Sequence, residues 1–345
     1  YVVKDFENFG FYGGVYFKGD KVKEVLGNDT KIAWPNGVDL PAVNGIPIEC
    51  YEYENLDLSH LELQNGLMSH QNYRNWCTLM EAELAVLQDI GFTIDRSKFF
   101  GQSIYASNNT ITLNSLSNDK TKNDGWSSNT DRAIGLHIYG SNNNVTLNDN
   151  ADIEATGSYS MGIRVDGVGN NVTVNDVSIL VGNNDKDYDN YGISVNYGKN
   201  HNVTISSNAS VTAIGKGSIG AIFDFGSNEL GDRTEYRGSY IRGEYDEEQD
   251  KFVNLEFTKK DKSDNVVDTF DINGALVDTF EVQGTLSGEK AIYISPNALV
   301  KTINIAGNNS VVVSGDIISE WNPEGVEYFY TRNYGGENPY KGLKP

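Results

Sequence analysis

Short apolar runs, broken by Gly, Asn and Asp, recur through the middle of the chain. Gly135-Leu136-His137-Ile138 is followed by Asn144-Val145-Thr146-Leu147, Gly162-Ile163-Arg164-Val165 by Asn171-Val172-Thr173-Val174, and Gly192-Ile193-Ser194-Val195 by Asn202-Val203-Thr204-Ile205. A fourth copy opens at Gly220-Ala221-Ile222-Phe223, and the leading glycines lie 27, 30 and 28 residues apart. A third run completes each copy: Asp152-Ile153-Glu154-Ala155, Val177-Ser178-Ile179-Leu180, Ser210-Val211-Thr212-Ala213. Alternating β-branched residues with Asn and Gly corners predict three short strands per unit. One such unit cannot bury its apolar face alone, so units must stack. The pattern predicts a mainly β protein, a right-handed parallel β-helix (solenoid), advancing about 4.8 Å per unit.

The repeat divides the chain. Residues 1–100 do not repeat and predict a small α-containing domain with one helix at about 78–90. Thr78-Leu79-Met80-Glu81 reads as its capping box and Gly91 as its stop, with Met80, Leu84, Leu87 and Ile90 as its apolar stripe. Such a unit would cover the open end of the stacked core. The β-helix is predicted over 101–228, a charged, Tyr-rich excursion over 229–270, further coils over 271–320, and an irregular tail over 321–345.

Several polar residues invite a chemical reading. Asn144, Asn171 and Asn202 recur in phase, so they read as a hydrogen-bonded structural ladder rather than as the glycosylation sequons they also match. Asp185, Asp187 and Asp189 alternate in a lengthened loop and could gather calcium, but the Gly and bidentate Glu of an EF-hand loop are missing. Arg164 and Asp166 face outward if Ile163 and Val165 face in. With His137, Ser194 and Asp224 at equivalent places in adjacent units, they read as ordinary solvated polar groups rather than paired catalytic carboxylates. His137 and His201 have no partner at metal-ligand spacing and read as structural or exposed.

Composition narrows the partners. The net charge of −21 over 345 residues repels a phosphate backbone, which argues against nucleic acid. No apolar run is long enough for a transmembrane helix. The chain opens at Tyr1 without a signal peptide and reads as a processed segment. Cys50 and Cys77 are too few for a disulfide framework, and both a bridged and a free state stay open.

Ser59-His60-Leu61-Glu62-Leu63, Gly66-Leu67-Met68-Ser69 and the Leu84–Phe92 stretch resemble the carboxy-terminal part of a metzincin zinc peptidase of the leishmanolysin-like group. That resemblance implies His60 as third zinc ligand and Met68 as the residue of the Met-turn. The H-E-x-x-H pair that supplies the other ligands and the base is absent, so zinc would require residues upstream of this chain. Most of the chain also resembles the passenger region of bacterial autotransporters. The motifs include Met68-Ser69-His70-Gln71-Asn72-Tyr73, Gly135-Leu136-His137-Ile138-Tyr139-Gly140, Tyr197-Gly198-Lys199-Asn200-His201 and Tyr236-Arg237-Gly238-Ser239-Tyr240. This resemblance implies export across the bacterial outer membrane to the cell surface or beyond, through a carboxy-terminal outer-membrane β-barrel that is not within this segment. The function expected first is an adhesin or structural stalk, with a host-cell, matrix, glycan or bacterial-surface ligand and no cofactor. A zinc metallopeptidase completed upstream and a β-helix polysaccharide-degrading enzyme are the alternatives.

Overall fold

The computed structural model describes residues 15–27, 45–48, 60–61, 63, 66–68, 78–117, 122–183, 188–224, 275–295, 298–306 and 311–321, with the backbone alone of 2–4, 15, 47, 234–236, 239–246 and 251–256. The protein is mainly β, and its long sheets are parallel. Three rows of strands stack in register. The first row holds Phe100–Ile104, Ile134–Ile138, Met161–Val165, Tyr191–Val195 and Ile219–Phe223. The second holds Thr110–Ser115, Asn144–Asn150, Asn171–Val174, His201–Ile205, Val277–Val282 and Val300–Ile305. The third holds Trp126–Ser128, Ile153–Ala155, Ser178–Val181 and Ser210–Ala213. Each strand pairs with its counterpart one repeat away, so Ile138, Val165, Val195 and Phe223 form one column. All four are fully buried, because the period-two alternation of a strand sends every second side chain to one face.

One strand departs from this pattern. Thr285–Ile294 runs through the turn that elsewhere separates the third row from the first. Its residues 285–287 pair with the third row and its residues 290–294 with the first, which joins the two rows into one sheet. Val312–Ser319 pairs alongside it.

The leading glycine of each repeat has a packing cause. A Cβ at Gly135 would lie 2.4 Å from Ile153 Cγ2, at Gly162 2.4 Å from Ile179 Cγ2, and at Gly192 2.4 Å from Val211 Cγ1. At Gly220 it would lie 2.8 Å from Leu286 Cδ1, and at Gly101 3.0 Å from Trp126 Cγ. The first-row strand thus passes over the branched side chain of its own unit's third strand, where only hydrogen fits. That contact recurs once per unit, and so does the glycine.

The amino-terminal part carries an antiparallel sheet of Val2–Lys4, Val15–Phe17 and Ile46–Pro47. Its described residues hold two α-helices where one was expected: α1 at Asp20–Leu26 and α2 at Glu81–Asp89. Helix α1 starts after Gly19, which has no side chain to cap it, and the Asp89 carboxylate accepts the Lys21 and Val22 N–H groups instead, each at 3.0 Å. The Thr78–Glu81 capping box does not form. The N-cap is Met80, whose N–H donates to Glu83 Oε2 at 2.8 Å. The expected stripe is also incomplete: Met80 and Leu84 are buried, but Ile90 is 52% exposed. Helix α2 instead buries two sides. Ala82, Ala85 and Val86 join the amino-terminal core, while Leu84 packs with Phe100, Ile134 and Met161. Those last three come from successive units of the first row, so the helix lies along the side of the stack rather than over its end. Arg96 ties the assembly with bonds to Glu24 on α1 at 3.1 Å and Glu81 on α2 at 3.0 Å, and a further one to Gln88.

Candidate functional site

The outward face of the first row is where the structure departs most from expectation. His137, Arg164, Asp166 and Ser194 do not meet solvent; all are fully buried. His137 and Arg164 sit side by side in adjacent strands. Nearby Tyr105 and Tyr139 enter the amino-terminal core, and the Tyr105 hydroxyl accepts the Ala82 N–H at 3.0 Å. The amino-terminal unit therefore covers this face, which makes its polar residues interior.

Asp166 organises the cluster. Its Oδ2 accepts from His137 Nε2 at 2.8 Å and from Arg164 Nε at 2.8 Å. A carboxylate only accepts, so His137 is the Nε2–H tautomer, and its Nδ1 has no hydrogen-bond partner among the described residues. Burial pushes Asp166 up, but the Arg164 charge and the His137 bond outweigh it and hold the carboxyl below its usual range. Burial likewise pushes His137 down, further than the Asp166 bond and charge raise it, so the imidazole is neutral at pH 7. Ser194 Oγ donates to Asn196 at 2.8 Å, away from the imidazole. The arrangement is a buried ion pair with a neutral histidine. Among the described residues no hydroxyl meets the second ring nitrogen of His137, so these groups do not form a nucleophilic relay.

The turns between first and second rows hold two ladders. On the outside, Asn171 Nδ2 donates to Asn144 at 2.7 Å and Asn202 Nδ2 to Asn171 at 2.8 Å. Inside, Asn143 accepts the Asn109 N–H at 3.0 Å and Asn170 accepts the Asn143 N–H at 2.9 Å. Asn170 also donates to the carbonyls of Gly140 and Asp166, both at 2.8 Å. His201 takes the next place in this ladder. Its Nδ1 accepts the Asn170 N–H at 3.2 Å and its Nε2 donates to Tyr197 O at 2.8 Å. His201 therefore performs the two tasks of an asparagine amide with its two ring nitrogens. The near-repeat aligns it with Asn143 and Asn170, and that alignment was the signal available in the sequence.

The remaining residues singled out in the sequence are described only in part. His60 adjoins the Ile48–Leu61 bridge, and the Leu61 N–H donates to Met68 O at 3.2 Å. The Met68 side chain packs against the amino-terminal core, and its N–H donates to Glu83 Oε1 at 2.8 Å. Glu83 is fully buried and also takes the Leu67 N–H at 3.3 Å, so it fastens the 66–68 turn to the start of α2. Among the described residues no three His, Cys, Asp or Glu side chains gather around a point. Asp189 holds a turn through its N–H to Lys216 O at 3.2 Å, while Asp185, Asp187, Cys50 and Cys77 lie outside the described residues.

Within the 229–270 excursion the described backbone forms an antiparallel sheet of Thr234–Tyr236, Ser239–Asp246 and Lys251–Glu256. The chain rejoins the second row at Val277–Val282. Compared with protein-family models, curated proteins and solved structures, the chain matches none.

Proposed function

We propose that the stacked rows wind as a right-handed parallel β-helix serving as a rigid, non-catalytic display scaffold. The chain then acts as a surface-exposed or secreted passenger of the autotransporter type, an adhesin or stalk. One observation carries this reading. An in-register stack, held by repeated glycine contacts and amide ladders, is interrupted at one turn by a separate antiparallel sheet. Such a body invests its sequence in regularity, and functional variety sits on what it holds out to solvent. The buried Asp166 cluster supports the same view, because its charges are spent on holding elements together.

The test joins Asp224 to Ala275 through a copy of Tyr197-Gly198-Lys199, the turn used one unit earlier. The shortened chain should fold with an unchanged melting temperature and lose adhesion to host cells or matrix proteins. Adhesion that survives at full strength would place the contact elsewhere. Hydrolysis of a peptide or polysaccharide by the purified full chain would overturn the non-catalytic reading.

A further inference from the structure

The buried polar cluster lies in a seam between two parts of the molecule. On one side of it, Leu84 of α2 packs against Phe100, Ile134 and Met161 of the stack. On the other, Tyr105 and Tyr139 enter the amino-terminal core, with ring centroids 5.2 Å apart. His137 and Arg164 lie between these two lines of contact, three residues beyond Ile134 and Met161 along their strands. The chain crosses from one part to the other at Arg96 and Ser97. Arg96 bonds to Glu24, Glu81 and Gln88 of the amino-terminal unit. The carbonyls of Ser97 and Lys98 instead accept from the stack, from Trp126 Nε1 at 2.8 Å and Ser128 Oγ at 2.5 Å. The unit can therefore part from the stack while staying tethered to it.

We propose that the amino-terminal unit is an acid-released cover, lifted from the first-row face when His137 takes a proton. At neutral pH the cluster balances, with Arg164 positive, Asp166 negative and His137 neutral. A proton on His137 puts two cations beside one carboxylate, on adjacent strands and fully buried. It also turns Nδ1 into a donor, and Nδ1 has no hydrogen-bond partner among the described residues. Water would satisfy both demands, and it has two routes. Pulling Ile134–Ile138 from the stack breaks ladders on both sides and strips Leu136 and Ile138 from the core. Lifting the unit leaves the parallel ladders paired, so it is the easier route. Ser103, His137, Arg164 and Ser194, side by side in successive strands, then meet solvent.

The other titratable groups at the seam do not supply this response. Against its burial, Asp166 is held below the usual carboxylate range by Arg164 and His137, so it stays charged at pH 5. Arg164 keeps its charge throughout. Burial pushes the Tyr105 hydroxyl well up, so it stays neutral. Tyr139 meets the His137 ring edge-on, with centroids 5.9 Å apart. On α2, Glu81 and Glu83 lie near Tyr105, and Glu83 is occupied by three backbone N–H groups. Burial raises Glu81 despite Arg96, so falling pH favours its covered form and it opposes release. Ser103 and Ser194 carry no charge. Burial lowers His137 from its ordinary 6.5 further than Asp166 raises it, so release sets in as pH falls below about 6.5. The inference does not rest on the display reading, which leaves this face unused.

The experiment places a thiol in the seam with Met161→Cys and, in a second protein, one in the stack core with Val174→Cys, each in the full chain. Labelling by dithiodipyridine is read by mass on the peptide that holds the residue. The rate is taken relative to that of the urea-unfolded chain at the same pH. Between pH 7.5 and 5.0, protection at residue 161 should fall by about ten- to thirtyfold, the range open to one proton taken up below pH 6.5. Protection at residue 174 should hold. His137→Gln keeps a donor for Asp166 but takes no proton, and with it protection at residue 161 should change less than about threefold over the same range. His137→Asn serves as a second neutral variant with the same expectation. Unchanged protection at residue 161, an equal fall at residues 161 and 174, or a fall that persists in the histidine variants would overturn the assignment.

Discussion

Gly162→Ala tests the packing rule behind the repeat. The added methyl would lie 2.4 Å from Ile179 Cγ2, 2.5 Å from Gly192 O and 3.2 Å from Val181 Cγ2. The φ of Gly162 is not positive, so the penalty is steric rather than conformational. Two terms oppose each other. Overfilling a packed core costs about 1–3 kcal/mol, whereas alanine in place of glycine gains about 0.4–1 kcal/mol by restricting the unfolded chain. The carbonyl of Gly192 belongs to a paired strand and cannot rotate away, so the steric term wins by about 1–2 kcal/mol. Ile179→Ala alone should cost about 2–5 kcal/mol through a cavity. In the double variant the new methyl occupies part of that cavity, so the pair should cost at least about 1 kcal/mol less than the sum of the singles. Urea midpoints of the four proteins read all three quantities. A Gly162→Ala protein as stable as the parent, or strict additivity with Ile179→Ala, would refute the argument that space alone dictates the glycine.

Three further outcomes follow from the buried polar groups. Asp166→Asn leaves the Arg164 guanidinium buried beside a neutral amide and should cost about 3–5 kcal/mol, measured by urea unfolding. His137 has a folded pKa below its ordinary value, so the unfolded chain takes the proton more readily. Stability should therefore fall as pH drops below about 6.5, by at most about 1.4 kcal/mol per pH unit from this group, until the folded pKa is passed, and His137→Asn should flatten a urea-midpoint profile between pH 7.5 and 5.5. At His201, asparagine should be accepted within about 1 kcal/mol, whereas leucine strands the Asn170 N–H and the Tyr197 carbonyl and should cost about 1–3 kcal/mol for each group, as read from the thermal midpoint.

The parallel rows were legible because their cause is periodic. Gly162 and Gly192 meet the same obstacle one repeat apart, and Val165 and Val195 fill the same column. What strand alternation cannot reveal is which outward face another segment covers. Arg164 and Asp166 alternate correctly with Ile163 and Val165, and nothing near them in the chain announces that a unit built before residue 100 lies over them. Helix α1 was hidden for a related reason: seven residues without a cap of their own depend on Asp89, far along the chain. Glu83 stayed silent for a third reason: it lies off the apolar stripe of its helix, and nothing beside it in the chain signals that three backbone N–H groups from two segments converge on it.

The in-register stacking also sets how the molecule yields to force. Beyond the units that helix α2 packs across, each unit pairs only with its neighbours, so tension applied from the far end strips the outermost unit while those behind it stay intact. A repeat of 27 to 30 residues, as between Gly135 and Gly192, releases roughly 90–100 Å of slack when pulled straight. Stretching should thus proceed as a staircase of similar lengths, each rupture relaxing the load before the next. A body that lengthens in small instalments stays mostly folded through a pull that would open one unfolding all at once.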